Sequence, residues 1–76
     1  MPKQILIQQP RHKQVQLKLI AAYRSRGIKF HKLKLYEKAL TDYNRVLELD
    51  PTAVNCYYLR AQSYKRLKQK EAAQQD

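Results

Sequence analysis

With 76 residues, 16 Lys+Arg against 6 Asp+Glu, one Gly, one Cys and no Trp, the chain has room for one small domain. A domain of this size buries only about 60% of its unfolded surface, so a substrate cavity enclosed by its own core, and with it autonomous catalysis, is not expected. The lone Cys56 cannot close an internal disulfide, which points to a reducing, intracellular compartment. No run approaches the ~20 apolar residues of a membrane span, because Lys18, Arg24, Arg26 and Lys29 interrupt the longest candidate.

The formal charge of +10 is unevenly spread. Residues 1–36 carry nine bases and no acid, residues 37–50 carry four acids and two bases, and residues 60–70 carry five bases and no acid. Two basic blocks separated by an acidic stretch suggest an anionic partner, weighed against an ordinary solvated helix face. The acid-free start is also what a mitochondrial presequence shows, but Ser is scarce there and Lys outnumbers Arg, so a cytoplasmic location is preferred and organellar import stays open. Residues 1–19 form a basic extension in which Ile5, Leu6 and Ile7 stand together between Pro2 and Pro10. This segment is either a disordered tail or a docking segment, and three consecutive aliphatic residues favour docking.

Shifting the chain by 34 residues pairs 20–42 with 54–76, and seven of the 23 pairs are identical: Tyr23/Tyr57, Arg26/Arg60, Leu33/Leu67, Lys34/Lys68, Glu37/Glu71, Ala39/Ala73 and Asp42/Asp76. About two would arise by chance, and a period of this length indicates stacked helical hairpins. In the first copy Ile20, Tyr23, Gly27 and Phe30 make one helical stripe, and Tyr36, Ala39, Tyr43 and Val46 make a second. Gly27 falls inside a helix, where it costs ~1 kcal/mol against Ala, so it is read as a point of close helix approach, and small Ala39 on the facing stripe is expected to receive a ring. Asp50-Pro51 closes the second helix. Thr52 is the expected N-cap of a third helix, whose stripe runs through Tyr57, Ala61, Tyr64 and Leu67. The expected fold is all-α: an antiparallel hairpin over 20–53 followed by a third helix within 54–76.

These residues resemble the tetratricopeptide repeat family. Tyr23, Gly27, Phe30, Ala39, Tyr43, Val46 and Pro51 follow its pattern in the first copy, and Tyr57, Ala61, Tyr64 and Ala73 follow it in the second. Arg26 and Arg60 replace its usual Leu. Lys34 and Lys68 stand where its turn Gly is usual, so a loose first turn and no second turn are expected. The resemblance implies a scaffold that binds peptide segments of other proteins in a concave groove, without chemistry of its own. Transferred to this chain, the groove positions are Arg24, Ser25, Ile28, His31 and Lys32, then Asn55, Tyr58, Leu59, Gln62, Lys65 and Arg66. One branch of the family grips acidic chaperone tails with a clamp of bases and Asn. Arg24 matches its first base, but Ile28 and Leu59 occupy the Asn positions, so that ligand is not expected.

Other chemistries find no support. His12 and His31 lack partners at metal-ligand spacing, Cys56 has no neighbouring Cys or His, and one Gly cannot build a phosphate loop. No metal or cofactor is expected. Solenoid repeats rely on neighbours, so a repeat and a half is expected to pair with a protein partner, an acidic peptide or a larger complex, or with itself. Tyr64 and Leu67, together with Ile5, Leu6 and Ile7, form the expected docking face. The alternative is an RNA-associated protein whose basic blocks contact phosphate without reading bases.

Overall fold

The computed structural model describes residues 10–75, with side chains over 13–74. The Ile5-Leu6-Ile7 triplet and His12 lie outside the described side chains. Three helices, α1 (Pro10–Lys32), α2 (Tyr36–Leu49) and α3 (Val54–Gln75), follow one another, with α2 packed against both others.

Helix α1 opens on Pro10, whose missing N–H is one that a helix start leaves unsatisfied in any case. It begins well before Ile20, so the second half of the N-terminal extension is a lengthening of the first repeat helix. Lys29, His31 and Lys32 in its last turn suit the negative end of the helix dipole. Two backbone bonds then close the helix: Leu35 N–H donates to Phe30 O at 2.8 Å and Lys34 N–H donates to His31 O at 2.9 Å. This is the Schellman arrangement, and it places Lys34 at φ 65°, where Gly is usual. The first turn is therefore tight rather than loose. Reversing the chain so that α2 falls on α1 outweighs the strain of a lysine there.

Helix α2 supplies most of the core. Tyr36, Ala39, Leu40, Asp42, Tyr43, Val46 and Leu47 are all buried. Its stripe meets Ile20, Tyr23, Gly27 and Phe30 as the spacing predicts, and Ile20, Val46, Leu47 and Cys56 form a cluster joined by Tyr23, Leu49 and Ala53. A Cβ placed on Gly27 would lie 2.7 and 2.9 Å from the Tyr43 ring and 3.2 Å from Asp42 Cβ, so the two helices touch there as only glycine permits.

Asp50 leaves the helix with φ −146° and ψ 89°, the extended form imposed by the following Pro51. Thr52 is not the N-cap expected of it. Its N–H and hydroxyl both donate to Asp50 Oδ1, at 3.1 and 2.6 Å, and bind it back into the turn. Helix α3 starts two residues later and runs unbroken through Lys68 to Gln75, so the second turn does not form.

The third stripe faces outward rather than into the core. Tyr57 is 43% exposed, Tyr64 is 51% exposed, Ala61 is exposed and Leu67 is half-buried. The face of α3 that packs on α2 is carried by Cys56 and Ser63, both fully buried. The Tyr57–Ala61–Tyr64 stripe points outward because the helix that would cover it, the counterpart of α2, is not folded back upon it.

Candidate interaction site between α1 and α3

Where α1 and α3 pass each other, Ile28, His31 and Lys32 from α1 and Tyr58, Leu59 and Gln62 from α3 line a depression of about 170 Å³ with Tyr43 of α2 among its walls. Helical spacing brings them together. Residues 28, 31 and 32 share one side of α1, as 58, 59 and 62 do of α3, and packing both helices on α2 turns the two sides toward each other. Six of the residues chosen from sequence thus converge.

The walls are held by polar contacts. His31 Nδ1 and Ser63 Oγ are hydrogen-bonded at 2.8 Å, with the direction set by the imidazole tautomer, and this bond ties α1 to α3. The His31 ring stands edge-on to Tyr36, 5.1 Å between centroids at 69°. Gln62 Nε2 donates to the Tyr58 hydroxyl at 2.7 Å, which fixes the outer wall. Burial pushes the Tyr43 phenol above its ordinary range, so the inner wall stays uncharged. The lining therefore offers two aliphatic side chains, two tyrosine rings, an imidazole, an amide and the Lys32 ammonium. Its volume suits one or two peptide side chains rather than a small molecule, for which pockets of about 300–1,000 Å³ are usual.

The remaining sequence choices fall elsewhere. Ser25 and Asn55 are exposed and do not line the depression. Arg24 approaches Cys56, where its charge partly offsets the burial that pushes the thiol up. Lys65 and Arg66 lie about a turn further along α3 than Gln62, past the end of α1. Lys65 borders a depression of about 410 Å³ with Tyr64, Leu67, Lys68 and Glu71, and Arg66 borders another with Lys34, Tyr36, Gln69 and Lys70. The four cations among the groove positions, Arg24, Lys32, Lys65 and Arg66, thus do not share one depression.

Two buried polar residues escape a stripe-based reading. Asp42, 1% exposed, accepts a fork from Arg26, with Nε on Oδ2 and Nη2 on Oδ1, both at 2.8 Å. The guanidinium also lies 5.8 Å from the Tyr23 and Phe30 ring centroids, and the Asp42 carboxylate raises its pKa further. The signal was present: Arg and Asp recur 16 residues apart in both copies, at 26/42 and 60/76. Ser63 could have been found from its spacing of seven from Cys56, two small residues on one helix face.

Cys56 is fully buried, and burial raises its thiol above its ordinary pKa, opposite to what a reactive thiolate needs. Among the described residues no group of three His, Cys, Asp or Glu side chains could hold a metal ion, and no helix is long and apolar enough to cross a membrane.

Two sequence models of the tetratricopeptide repeat match the chain, one over residues 20–53 and one over residues 42–75. No curated protein and no solved structure shows a significant match. The matched residues together span 20–75, the first match covers the hairpin from Ile20 through its following turn, and the second takes in the end of α2 and the whole of α3. The chain belongs to the tetratricopeptide repeat family.

Proposed function

We propose that the chain is a non-catalytic interaction module that receives a short acidic segment of a partner protein in the depression between α1 and α3. Tetratricopeptide repeats mediate protein–protein interaction, and function must still be argued from the site. The observation that carries the reading is the convergence of Ile28, His31, Lys32, Tyr58, Leu59 and Gln62 on one depression. Ile28 and Leu59 accept an aliphatic side chain, Tyr58 stacks beside it, and Lys32 faces a carboxylate at the rim. An RNA backbone would instead need a continuous basic track, and Lys65 and Arg66 are separated from Lys32.

The test is fluorescence anisotropy of the full chain against labelled peptides that combine aliphatic and acidic residues, and against single-stranded RNA. Leu59→Lys and Lys32→Gln are each expected to weaken the acidic peptide about tenfold while leaving helicity by circular dichroism unchanged. RNA that binds more tightly than every peptide, with a log K against log salt slope near −0.7 per phosphate, would replace this reading with backbone binding.

A further inference from the structure

The chain carries one helix-binding face twice, and among the described residues one copy is covered and the other is not. On α1 the face is Tyr23, Arg26, Gly27 and Phe30, and α2 lies upon it with Ala39, Asp42, Tyr43 and Val46 buried. On α3 the same pattern returns as Tyr57, Arg60, Ala61 and Tyr64, where no described residue covers it. It continues into the 410 Å³ depression edged by Leu67.

We propose that this α3 face seats an acidic amphipathic helix of another protein, antiparallel to α3, with an Asp that forks onto Arg60 and, directly after it, a residue smaller than Tyr at the crossing. The surface is distinct from the depression between α1 and α3, and the inference does not rest on the reading given for that site.

Charge complementarity sets the sign of the occupant. Arg60, Lys65 and Lys68 flank the face, and Glu71 is the one acid in α3. The covered copy shows how an arginine at this position is satisfied, since Arg26 takes both oxygens of Asp42. Arg60 is already oriented for the same task. Its guanidinium lies 5.3 Å from the Tyr57 ring centroid, Nη1 donates to Asn44 Oδ1 at 3.0 Å, and the Tyr57 hydroxyl is anchored on Pro51 O at 3.0 Å. No carboxylate of the described residues pairs with it. A bidentate carboxylate is the natural acceptor for the fork.

The crossing point sets the size of the occupant's side chains. At Gly27 an added Cβ would meet the Tyr43 ring at 2.7 Å, and Ala61 carries that methyl. The occupant must therefore hold something smaller than Tyr where α2 has Tyr43. This disfavours α2 of a second copy, which brings a tyrosine to the contact.

The probe is a synthetic acetylated and amidated peptide copying residues 36–49 with the change Tyr43→Leu, titrated into the full chain. We expect it to bind at least tenfold more tightly than the unaltered copy, and a version with Asp42→Asn added to bind at least tenfold more weakly than the Tyr43→Leu peptide. In the chain, Arg60→Gln should abolish the preference for the Asp peptide over the Asn peptide, Arg60→Lys should retain part of it, and Tyr64→Ser should weaken both peptides. Leu59→Lys should change none of these values, which separates this surface from the α1–α3 depression. Equal binding of the Asp and Asn peptides, or binding indifferent to Tyr64→Ser, would overturn the proposal. So would a concentration-dependent dimer of the chain alone that Tyr64→Ser dissolves, since the occupant would then be a second copy.

Discussion

Tyr23 and Tyr57 hold the same place in the repeat, as do Phe30 and Tyr64, yet the first of each pair is partly covered by α2 while Tyr57 and Tyr64 stand largely in solvent. The residues of the pattern specify a face able to take a helix; whether the face is buried depends on the residues that come next in the chain. After Lys34 come Tyr36, Ala39, Leu40, Tyr43, Val46 and Leu47, all buried once the chain reverses. Burying a large apolar side chain contributes about 1.5–3 kcal/mol, enough together to outweigh the ~1–2 kcal/mol of a non-glycine residue in the left-handed region. After Lys68 come Gln69, Lys70, Glu71, Ala72, Ala73, Gln74 and Gln75. Two alanines cannot repay the same strain, while every residue of that run is a good helix former, so the helix continues straight.

The largest effect that tests this contrast comes from the shared alanine. Ala39 is fully buried between α1 and α2, and Ala73 is exposed on α3. Ala39→Leu should overpack the hairpin at a cost of about 2–3 kcal/mol, whereas Ala73→Leu should stay within ~0.5 kcal/mol of the parent. Chemical denaturation followed by circular dichroism reads both. Equal losses would mean that residues 69–75 pack as a fourth helix after all.

How far the sequence could be read follows the same division. The hairpin was legible because both of its stripes lie in the chain and each is the other's cover. Whether the stripe of α3 is surface or core is not legible in the sequence, because periodicity marks a face without saying what meets it. Ser63 and Cys56, the true contact, are too small to make an apolar stripe. The family pattern picks out residues that share one depression as far as Gln62, where α1 still runs alongside. Lys65 and Arg66 fall outside that depression because α1 ends at Lys32 and leaves no opposing wall. Thr52 looked like a cap by residue type, but Asp50 competes for the same hydroxyl.

The glycine position gives a smaller and more specific test. Gly27→Ala adds a methyl against the Tyr43 ring and Asp42. Its overpacking cost of ~1–3 kcal/mol is reduced by the better helix propensity of Ala, for a net loss of about 1–2 kcal/mol. Ala61→Gly has no such contact to relieve and should lose about 1 kcal/mol through propensity alone. Shortening Tyr43 to Leu should recover part of the first loss and none of the second. A Gly27→Ala protein as stable as the parent would show that α1 and α2 can separate without penalty.

The smallest effect carries the clearest sign. Lys34 and Lys68 are the same residue at the same repeat position, one at φ 65° in a turn and one within a helix. Lys34→Gly removes the side-chain clash of the left-handed conformation and keeps the carbonyl that accepts from Lys70 Nζ at 3.3 Å. Part of the gain is offset by the greater freedom of glycine in the unfolded chain, which leaves a stabilisation of about 0.5–1 kcal/mol. Lys68→Gly meets no strain to relieve and should destabilise by a similar ~0.5–1 kcal/mol, the ordinary cost of glycine inside a helix. Melting temperatures of the two variants should therefore move in opposite directions from the parent. If Lys68→Gly instead raised stability and helix content, position 68 would be a turn in solution, and the chain would fold back over Tyr57 and Tyr64 much as α2 folds back over Tyr23 and Phe30.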